Sequence, residues 1–303
     1  MGTKQTRDPA EDVDHAIKNL SAGEARDAVA RAGPGAPVIY ASISARGVEE
    51  LNRPALSLWG SGISAGLLLM MSVLGEGLFH HVLPAFEGAS AIADIGYTFG
   101  FVLVIMGRLQ LFTENTITPV LPLLANPTRQ ALWQTARLWL VVFCANLIGT
   151  FAAALLFYHG GVVTPEQLES LLVVSSKVME NTPLQTLLYG VVAGLLIAAL
   201  VWCMPTAAGG GILLIVFVTY MIALGNFTHV IAGSGEGFLL LLDGQVGPVW
   251  LVFGLILPAL IGNVLGGTVL FAILAYVQVK EEISAERADR RTASARHAPA
   301  KSS

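Results

Sequence analysis

A polar stretch interrupts an apolar run of the chain at Leu111-Phe112-Thr113-Glu114-Asn115-Thr116-Ile117-Thr118-Pro119. Residues 96–106 before it are almost wholly apolar, and the apolar run 120–125 after it is too short to cross a membrane alone. A second interruption covers residues 226–235 and contains His229. Two interrupted helices in corresponding halves of a chain are typical of a membrane protein whose binding site lies near the bilayer midplane.

The composition indicates an integral membrane protein in a lipid bilayer. Of the 303 residues, 54% are hydrophobic and 13% are charged, whereas soluble domains carry about 25% charged residues. The charges concentrate at the two ends, so we predict an N-terminal tail at 1–53, a transmembrane domain at 54–278 and a C-terminal tail at 279–303. Cys144 and Cys203 fall inside apolar runs, so we predict neither a structural disulfide nor a metal site. We also expect no cofactor and no nucleic-acid partner.

Hydropathy predicts an all-α protein with six membrane-spanning helices. The predicted spans are Ala55–Phe79, Ile95–Ala125 (broken), Trp133–Phe157, Leu184–Met204, Ile212–Leu242 (broken) and Val249–Val277. Each is long enough to cross a hydrocarbon core of about 30 Å. Seven of the 17 Lys and Arg residues precede the first span and six follow the last. Because basic residues stay on the cytoplasmic side, both termini are predicted to lie inside the cell.

The two halves of the chain resemble each other. Ser61-Gly62 through Leu68 matches Tyr189-Gly190 through Leu196 at an offset of 128 residues, and Phe112-Thr113 matches Phe227-Thr228 at 115. Asn146-Leu147-Ile148-Gly149 matches Asn263-Val264-Leu265-Gly266 at 117. Each half contains three spans, an odd number, so the halves must enter the membrane from opposite sides. The pattern predicts an inverted 3+3 repeat.

The breaks predict a polar centre in the membrane. Backbone groups that leave a helix there must find partners or line a cavity, and we expect Asn146 and Asn263 to supply hydrogen bonds. Each half-helix also presents a positive N-terminus that favours anions. His229 lies in the second break, where a pore or proton role is favoured over packing against a carbonyl. Ile222 lies seven residues before His229, so both are predicted to share a helix face, and with Leu111 and Phe112 it forms either a hydrophobic constriction or ordinary helix packing.

Two basic residues near the breaks are open to two interpretations each. Arg108 lies deep in the second span and is predicted to meet Glu114, either as a structural ion pair or with direct anion contact by the arginine. Lys177 is the one basic residue of the predicted outer loops. It either draws anions toward a vestibule or is an ordinary solvated lysine.

Together these segments resemble the formate/nitrite transporter family. The resemblance rests on Leu111-Phe112-Thr113, Phe227-Thr228-His229 and Leu257-Pro258 through Gly262-Asn263-Val264-Leu265-Gly266-Gly267, and on Glu49-Glu50-Leu51 through Ser61-Gly62, and it covers residues 45–278. It implies a homopentamer of six-helix, aquaporin-like channel protomers in a bacterial inner membrane. It also implies that each protomer conducts a small monovalent anion or its acid, such as formate, nitrite, lactate or hydrosulfide.

The resemblance also implies roles for single residues. It gives Thr113 the position of the first break's threonine, His229 that of the central histidine, Asn263 that of its sixth-span neighbour, and Lys177 that of the vestibule lysine. Two features depart from the family pattern. The family usually has an acidic or similar residue at the position of Thr228. The charged pair Arg108 and Glu114, beside Asn115, is also atypical of the formate channels. We therefore expect a divergent branch.

Two other functions fit the sequence less well than an anion channel does. A neutral-solute channel of the aquaporin type would require the sequence Asn-Pro-Ala in both helix breaks. The chain has only Asn126-Pro127, which lies outside both breaks. An intramembrane serine protease could use Ser234 in Gly233-Ser234-Gly235. No histidine follows in the sixth span to act as its base, so the sequence favours a transporter over an enzyme.

Overall fold

The computed structural model describes residues 33–282 and is helical throughout, with no strand in that range. Residues 1–32 and 283–303, most of the two predicted tails, lie outside the described part. The helices are α1 (Ala36–Asn52), α2 (Ala55–Val82), α3 (Ala89–Met106), α4 (Val120–Ala125), α5 (Arg129–His159), α6 (Pro165–Ser176), α7 (Pro183–Cys203), α8 (Gly211–Leu224), α9 (Val230–Leu242) and α10 (Pro248–Glu282). Part of the predicted N-terminal tail, residues 36–52, thus forms a helix of its own.

Within the described residues, five helices are long and apolar enough to cross a membrane, namely α2, α3, α5, α7 and α10. The predicted fifth span is divided between α8 and α9, which have 14 and 13 residues. Many large apolar side chains point outward, among them Leu56, Leu213 and Val249, which are 84%, 76% and 71% exposed. An apolar surface of this extent needs lipid or a neighbouring protomer to cover it.

Local sequence signals set where several helices begin. Thr128 precedes α5, and its side chain accepts a hydrogen bond from the amide of Ala131. Thr164 and Thr182 precede α6 and α7 in complete capping boxes, each followed at once by a proline. These caps satisfy amide groups that the first helical turn leaves free.

The helices that lead into the two breaks end in the same way. The amides of Gly107 and Leu109 donate to the carbonyls of Leu103 and Val104, and those of Gly225 and Phe227 donate to Met221 and Ile222 in the other half. One residue lies between the two donors of each break, Arg108 in the first and Asn226 in the second, and both adopt a φ of 50°. This pattern is a helix C-cap built on one left-handed residue. The same C-cap occurs in both breaks, and equivalent residues of the two breaks are 118 positions apart in the sequence.

That offset corrects one sequence match. The sequence aligned Phe112-Thr113 with Phe227-Thr228 at 115, but the structure places Phe112 in the position of Val230. Both of these amides donate to the side-chain oxygen of the asparagine in their own half, at 2.9 Å. The Phe-Thr pair is a local coincidence, because the helix end and its cap determine where the chain turns.

Close helix packing brings these asparagines to the breaks. A Cβ added to Gly66 on α2 would lie 2.2 Å from the carbonyl oxygen of Asn146, and one added to Gly194 on α7 would lie 2.3 Å from that of Asn263. Only glycine allows the backbones to approach so closely, as in other membrane helix pairs. The predicted matches at offsets of 128 and 117 therefore correspond to equivalent helix contacts.

Candidate functional site

Asn146 ties the first break to its own half of the protein. Its side-chain nitrogen donates to the carbonyls of Gly62 and Gln110, both at 2.8 Å. Its oxygen accepts the amide of Phe112 at 2.9 Å. The side chain is fully buried, so these three bonds satisfy backbone groups that the broken helix cannot pair and that water does not reach.

Asn263 does the same for the second break. Its nitrogen donates to the carbonyls of Gly190 and Thr228 at 2.8 and 2.9 Å, and its oxygen accepts the amide of Val230. Thr228, which the sequence singled out as atypical, is therefore used through its backbone. Asn263 is also fully buried.

The two breaks meet at a contact between Thr113 and His229. Thr113 Oγ1 lies 2.7 Å from His229 Nε2, and the two residues are 0% and 1% exposed. His229 is the N-cap of α9, where its Nδ1 accepts the amide of Ala232 at 3.3 Å. Because a neutral imidazole carries one proton, accepting at Nδ1 places that proton on Nε2. His229 therefore donates to Thr113, and its N–H is directed at the junction of the breaks.

Apolar side chains surround this contact. The ring of Phe101 lies edge-on to His229 at 4.8 Å, and Phe112 packs against Trp139 and Phe143 at 6.0 and 5.0 Å. Leu111 and Ile222 are fully buried in the same core. The inference that Ile222 and His229 share a helix face is wrong, because α8 ends at Leu224 and His229 belongs to the next helix. Ile222 nevertheless lines a cavity that includes His229.

That cavity, here the Lys177 cavity, has a volume of about 50 Å³. Its polar lining consists of Glu76, Tyr97, Lys177, Asn181, Asn226, Thr228, His229 and Glu236. Lys177 is bound there by two carboxylates, Glu76 at 2.8 Å and Asp94 at 3.4 Å. Burial alone opposes the charged ammonium, but the attraction of the two carboxylates outweighs burial and raises the pKa of Lys177. Lys177 thus stays charged, but its charge is compensated.

On the other side of the breaks, Glu114 pairs with a different arginine from the predicted one. The partner is Arg46 of α1, whose guanidinium binds Glu114 and, at 3.0 Å, Glu50. Arg108 is exposed and forms no ion pair within residues 33–282. The chain adopts a left-handed conformation at Arg108, where the helix ends, and the arginine side chain is exposed rather than paired with Glu114.

Glu50 fastens α1 to the same break. Its carboxylate accepts hydrogen bonds from Thr118 Oγ1 and from Asn115 Nδ2, the latter at 3.1 Å. The backbone of Asn115 accepts the indole N–H of Trp139 at 2.8 Å. A second cavity, here called the Arg46 cavity, has a volume of about 410 Å³, and Arg46, Arg108 and Glu114 are among the residues that line it. One oxygen of Glu114, Oε1, is buried there without a hydrogen-bond partner.

The sequence reasoning missed several of these groups. Arg46 lies in the predicted N-terminal tail, and its i,i+4 spacing to Glu50 is the sequence signal that indicates the pair. Glu76 and Glu236 are carboxylates inside apolar helices, a pattern that alone marks a candidate functional residue in a membrane protein. The candidate protease nucleophile has no such support. Ser234 is buried and bonds to Ile231 and Thr150, and no histidine contacts it among the described residues.

Comparison with known proteins identifies the family. The sequence model of the formate/nitrite transporter family matches residues 37–277. The inner membrane protein YfdC of Escherichia coli (strain K12) is 38% identical over 83% of this chain and 81% of its own length. An uncharacterized transporter of Bacillus subtilis (strain 168), YrhG, is 29% identical over 76% of this chain and 88% of its own.

Solved structures show the same fold. An ion channel of the FNT family superposes with a TM-score of 0.69 over 79% of this chain and 98% of the other. A pentameric formate channel with formate bound superposes with a TM-score of 0.61 over 74% and 96%. Both are 18% identical in sequence, so the likeness is one of fold. The family match covers most of the chain, including both breaks and their asparagines. This protein therefore belongs to the formate/nitrite transporter family.

Proposed function

We propose that this protein is a membrane channel or transporter for small monovalent anions or their protonated acids, with formate and nitrite as the reference solutes. The observation that carries the proposal is the buried contact between Thr113 and His229. It joins the two breaks in an apolar surround and directs an N–H donor at their junction. A solute that replaces Thr113 as the acceptor of this hydrogen bond passes from one break to the other.

The apolar surround determines the form in which the solute crosses. Transfer of a bare charge into an apolar site costs free energy, and the apolar side chains here cannot offset that cost. These side chains are Phe101, Phe112 and Ile222. A proton that joins the anion near His229 removes most of this cost. The solute then crosses the narrowest part as a neutral acid, whereas the positive N-terminus of α9, which His229 caps, favours the anion beside this part.

We further propose a topology and an assembly. The broken pair α8 and α9 supplies a sixth crossing, and both termini face the cytoplasm of a bacterial inner membrane. In this orientation the Lys177 cavity opens outside and the Arg46 cavity inside. The surface of exposed apolar side chains fits a homopentamer of channel domains at 54–278, flanked by cytoplasmic tails, and the pentameric formate channel of the same fold supports that number. Light scattering of the purified protein in detergent tests it directly.

The transport proposal is tested by uptake into proteoliposomes. We expect uptake of formate, nitrite, lactate or hydrosulfide, faster at about pH 5.5 than at about pH 7.5, because the neutral acid is more abundant at the lower pH. His229→Phe should lower the rate at least about tenfold, since positioned proton-transfer groups contribute factors of about a hundred or more.

The matched control is His159→Phe, because His159 is an exposed histidine at the end of α5. It should transport at the wild-type rate. Unchanged pH-dependent uptake by His229→Phe would show that the proton does not pass through the central histidine. Failure of the folded wild-type oligomer to carry any of the four solutes would refute the proposed function.

A further inference from the structure

Thr113 and His229 meet at the junction of the breaks, but the chain supports them unequally. His229 caps α9, a regular helix of 13 residues, whereas Thr113 lies in the irregular stretch 107–119 between α3 and α4. We propose that Thr268 of α10 is the positioning residue that holds Thr113 opposite His229 and thereby sets the width of the passage between the two breaks. The proposal rests on the proposed transport function and assigns the size limit of its solutes to one residue.

Two threonine hydroxyls connect Thr268 with Thr113. The hydroxyl of Thr268 donates to the carbonyl of Thr116 at 2.6 Å, and the hydroxyl of Thr116 donates to the carbonyl of Thr113 at 2.8 Å. Neither carbonyl receives a backbone amide within residues 33–282, and Pro119, three residues after Thr116, has no N–H to donate. Because buried carbonyls need a partner, the hydroxyls replace the helical hydrogen bonds that this stretch lacks. Thr268 therefore determines where Thr116 lies, and Thr116 determines where Thr113 lies.

One helix thereby holds both sides of the junction. Asn263 of α10 binds the residues on either side of His229, and Thr268, five residues later, binds the first break from the opposite half of the chain. Asn146, in contrast, bonds only within the first half and cannot fix the distance to His229. The spacing between Thr113 and His229 is therefore set along α10.

The register of α10 shows how Thr268 reaches the first break, because α10 contains one residue more than its counterpart α5. As far as Gly149 and Gly266 the two helices match at an offset of 117. A Cβ on either glycine would overlap a carbonyl of the helix packed on it, that of Ile63 on α2 or Val191 on α7. Ile63 and Val191 are 128 residues apart, which is the offset at which α2 and α7 match. The packing therefore fixes the match of α5 and α10 at this level.

Beyond these glycines the offset is 118. Thr150 Oγ1 lies 3.3 Å from Ser234 Oγ, and Thr268 binds Thr116, so each threonine contacts a hydroxyl residue of the opposite half. Ser234 and Thr116 are also 118 residues apart, and each donates its hydroxyl to the carbonyl three residues before it. Thr268 is thus the counterpart of Thr150, one residue later than the offset of the glycines predicts.

The extra residue of α10 is Gly267, and it lies in a π-helical segment, Leu265–Ala272. Such segments occur mostly as single turns within α-helices, frequently at functional sites. Without the extra residue, Thr268 would be rotated by about 100° away from the first break. Gly267 also leaves room for Thr116, since a Cβ there would overlap Thr116 Oγ1. The π-helical segment thus supplies both the hydroxyl and the space that the first break needs.

The test compares a small and a larger solute in Thr268→Val, which removes the hydroxyl and keeps a branched side chain. The small solute is labelled formate or nitrite, whichever the wild type carries faster, and the larger one is labelled lactate. Without its bond to α10, Thr116 releases Thr113 from its place opposite His229, and the passage widens. The ratio of lactate uptake to small-solute uptake into proteoliposomes should therefore rise at least about fivefold, the factor to which one typical hydrogen bond corresponds. Thr268→Ser keeps the hydroxyl and should stay within about twofold of the wild-type ratio.

A second variant tests the connection itself. Thr116→Val breaks the next bond toward Thr113 and should raise the same ratio by a similar factor. Because the two bonds act in series, Thr116→Val/Thr268→Val should raise it no further than either change alone. If Thr268→Val lost the normal oligomeric mass, Thr116→Val would decide the question in the same way.

The matched control is Thr150→Val, which changes the counterpart of Thr268 in α5. The hydroxyl of Thr150 also bonds to the carbonyl of Leu147 in its own helix, and His229 is held by α9 and Asn263. Loss of the Thr150 hydroxyl leaves the first break in place. Thr150→Val should therefore keep the wild-type ratio of lactate to small-solute uptake.

Three outcomes would overturn the inference. These are an unchanged ratio in Thr268→Val of normal oligomeric mass, an equal rise in Thr150→Val, and a loss of both uptakes in proportion, which would show a general structural role. In each case the wild type still carries its small solute, so the proposed function survives. A folded wild-type oligomer that carries none of formate, nitrite, lactate and hydrosulfide would refute the function, and with it the inference.

Discussion

Asn263→Ala is expected to destabilise the folded protein by at least about 3 kcal/mol, because each unsatisfied buried polar group costs about 1–3 kcal/mol. The substitution leaves the amide of Val230 and the carbonyls of Gly190 and Thr228 without their partner. Water does not reach these groups easily, so no solvent bond replaces what is lost. The midpoint of denaturant unfolding in detergent measures the effect, and we expect transport to be lost together with the fold.

The chain offers two comparisons for this prediction. Asn146→Ala should cost as much, because Asn146 makes the equivalent three bonds in the other half. Asn52→Ala should have little effect, since the side chain of Asn52 is exposed and donates only to the carbonyl of Val48. If Asn263→Ala proved as stable as Asn52→Ala, the asparagine would not be what holds the break together.

Arg46→Met is expected to destabilise the protein by roughly 3 kcal/mol, the lower end of the range for breaking a buried ion pair. The lower end applies because the side chain of Arg46 is 37% exposed, whereas that of its partner Glu114 is 2% exposed. The loss comes mainly from Glu114, which is left as a buried charge. Arg46→Met/Glu114→Leu should therefore recover part of the stability, since Glu50 still loses its arginine but keeps its bonds to Thr118 and Asn115, and the same unfolding midpoint reports the recovery.

The control for this prediction is the arginine that the sequence favoured. Arg108→Met should change stability by less than about 0.5 kcal/mol, since Arg108 is exposed and lies outside every ion pair of the described residues. A larger loss from Arg108→Met than from Arg46→Met would reverse the assignment and restore the pair that the sequence predicted. The two variants remove the same functional group, so their difference measures which arginine neutralises the first break.

Much of the fold follows from the sequence because membrane crossings leave strong signals. Apolar runs of fixed length, the two polar breaks and the repeated asparagines are all visible in the order of residues. The centre of the site could be predicted too, since His229 is a histidine inside an apolar run rather than at its edge. Its contact with Thr113 spans 116 residues, and only the folding of both breaks onto one point brings the two together.

The charges were harder to predict, because an ion pair depends on which helices pack together. Arg108 is six residues from Glu114, and proximity in sequence suggested the pair. Arg46 is 68 residues away but reaches Glu114 because α1 packs on the break. Its backbone comes so close there that a Cβ on Gly47 would overlap the carbonyl of Thr118. For the same reason the sequence pointed to Lys177 but not to the two carboxylates that bind it, because Glu76 and Asp94 belong to other helices.

The asparagines also bear on how such a protein could arise. Asn146 bonds only to groups between Gly62 and Phe112, and Asn263 only to groups between Gly190 and Val230, so each half closes its own break with its own side chain. A three-span ancestor could therefore pair the backbone groups at the turn of its break with its own asparagine, before any duplication supplied its inverted twin. What the second copy added is the contact across the junction, where Thr113 from one copy meets His229 from the other. The asparagine bonds of each break thus need one half only, whereas the pathway between the breaks needs both.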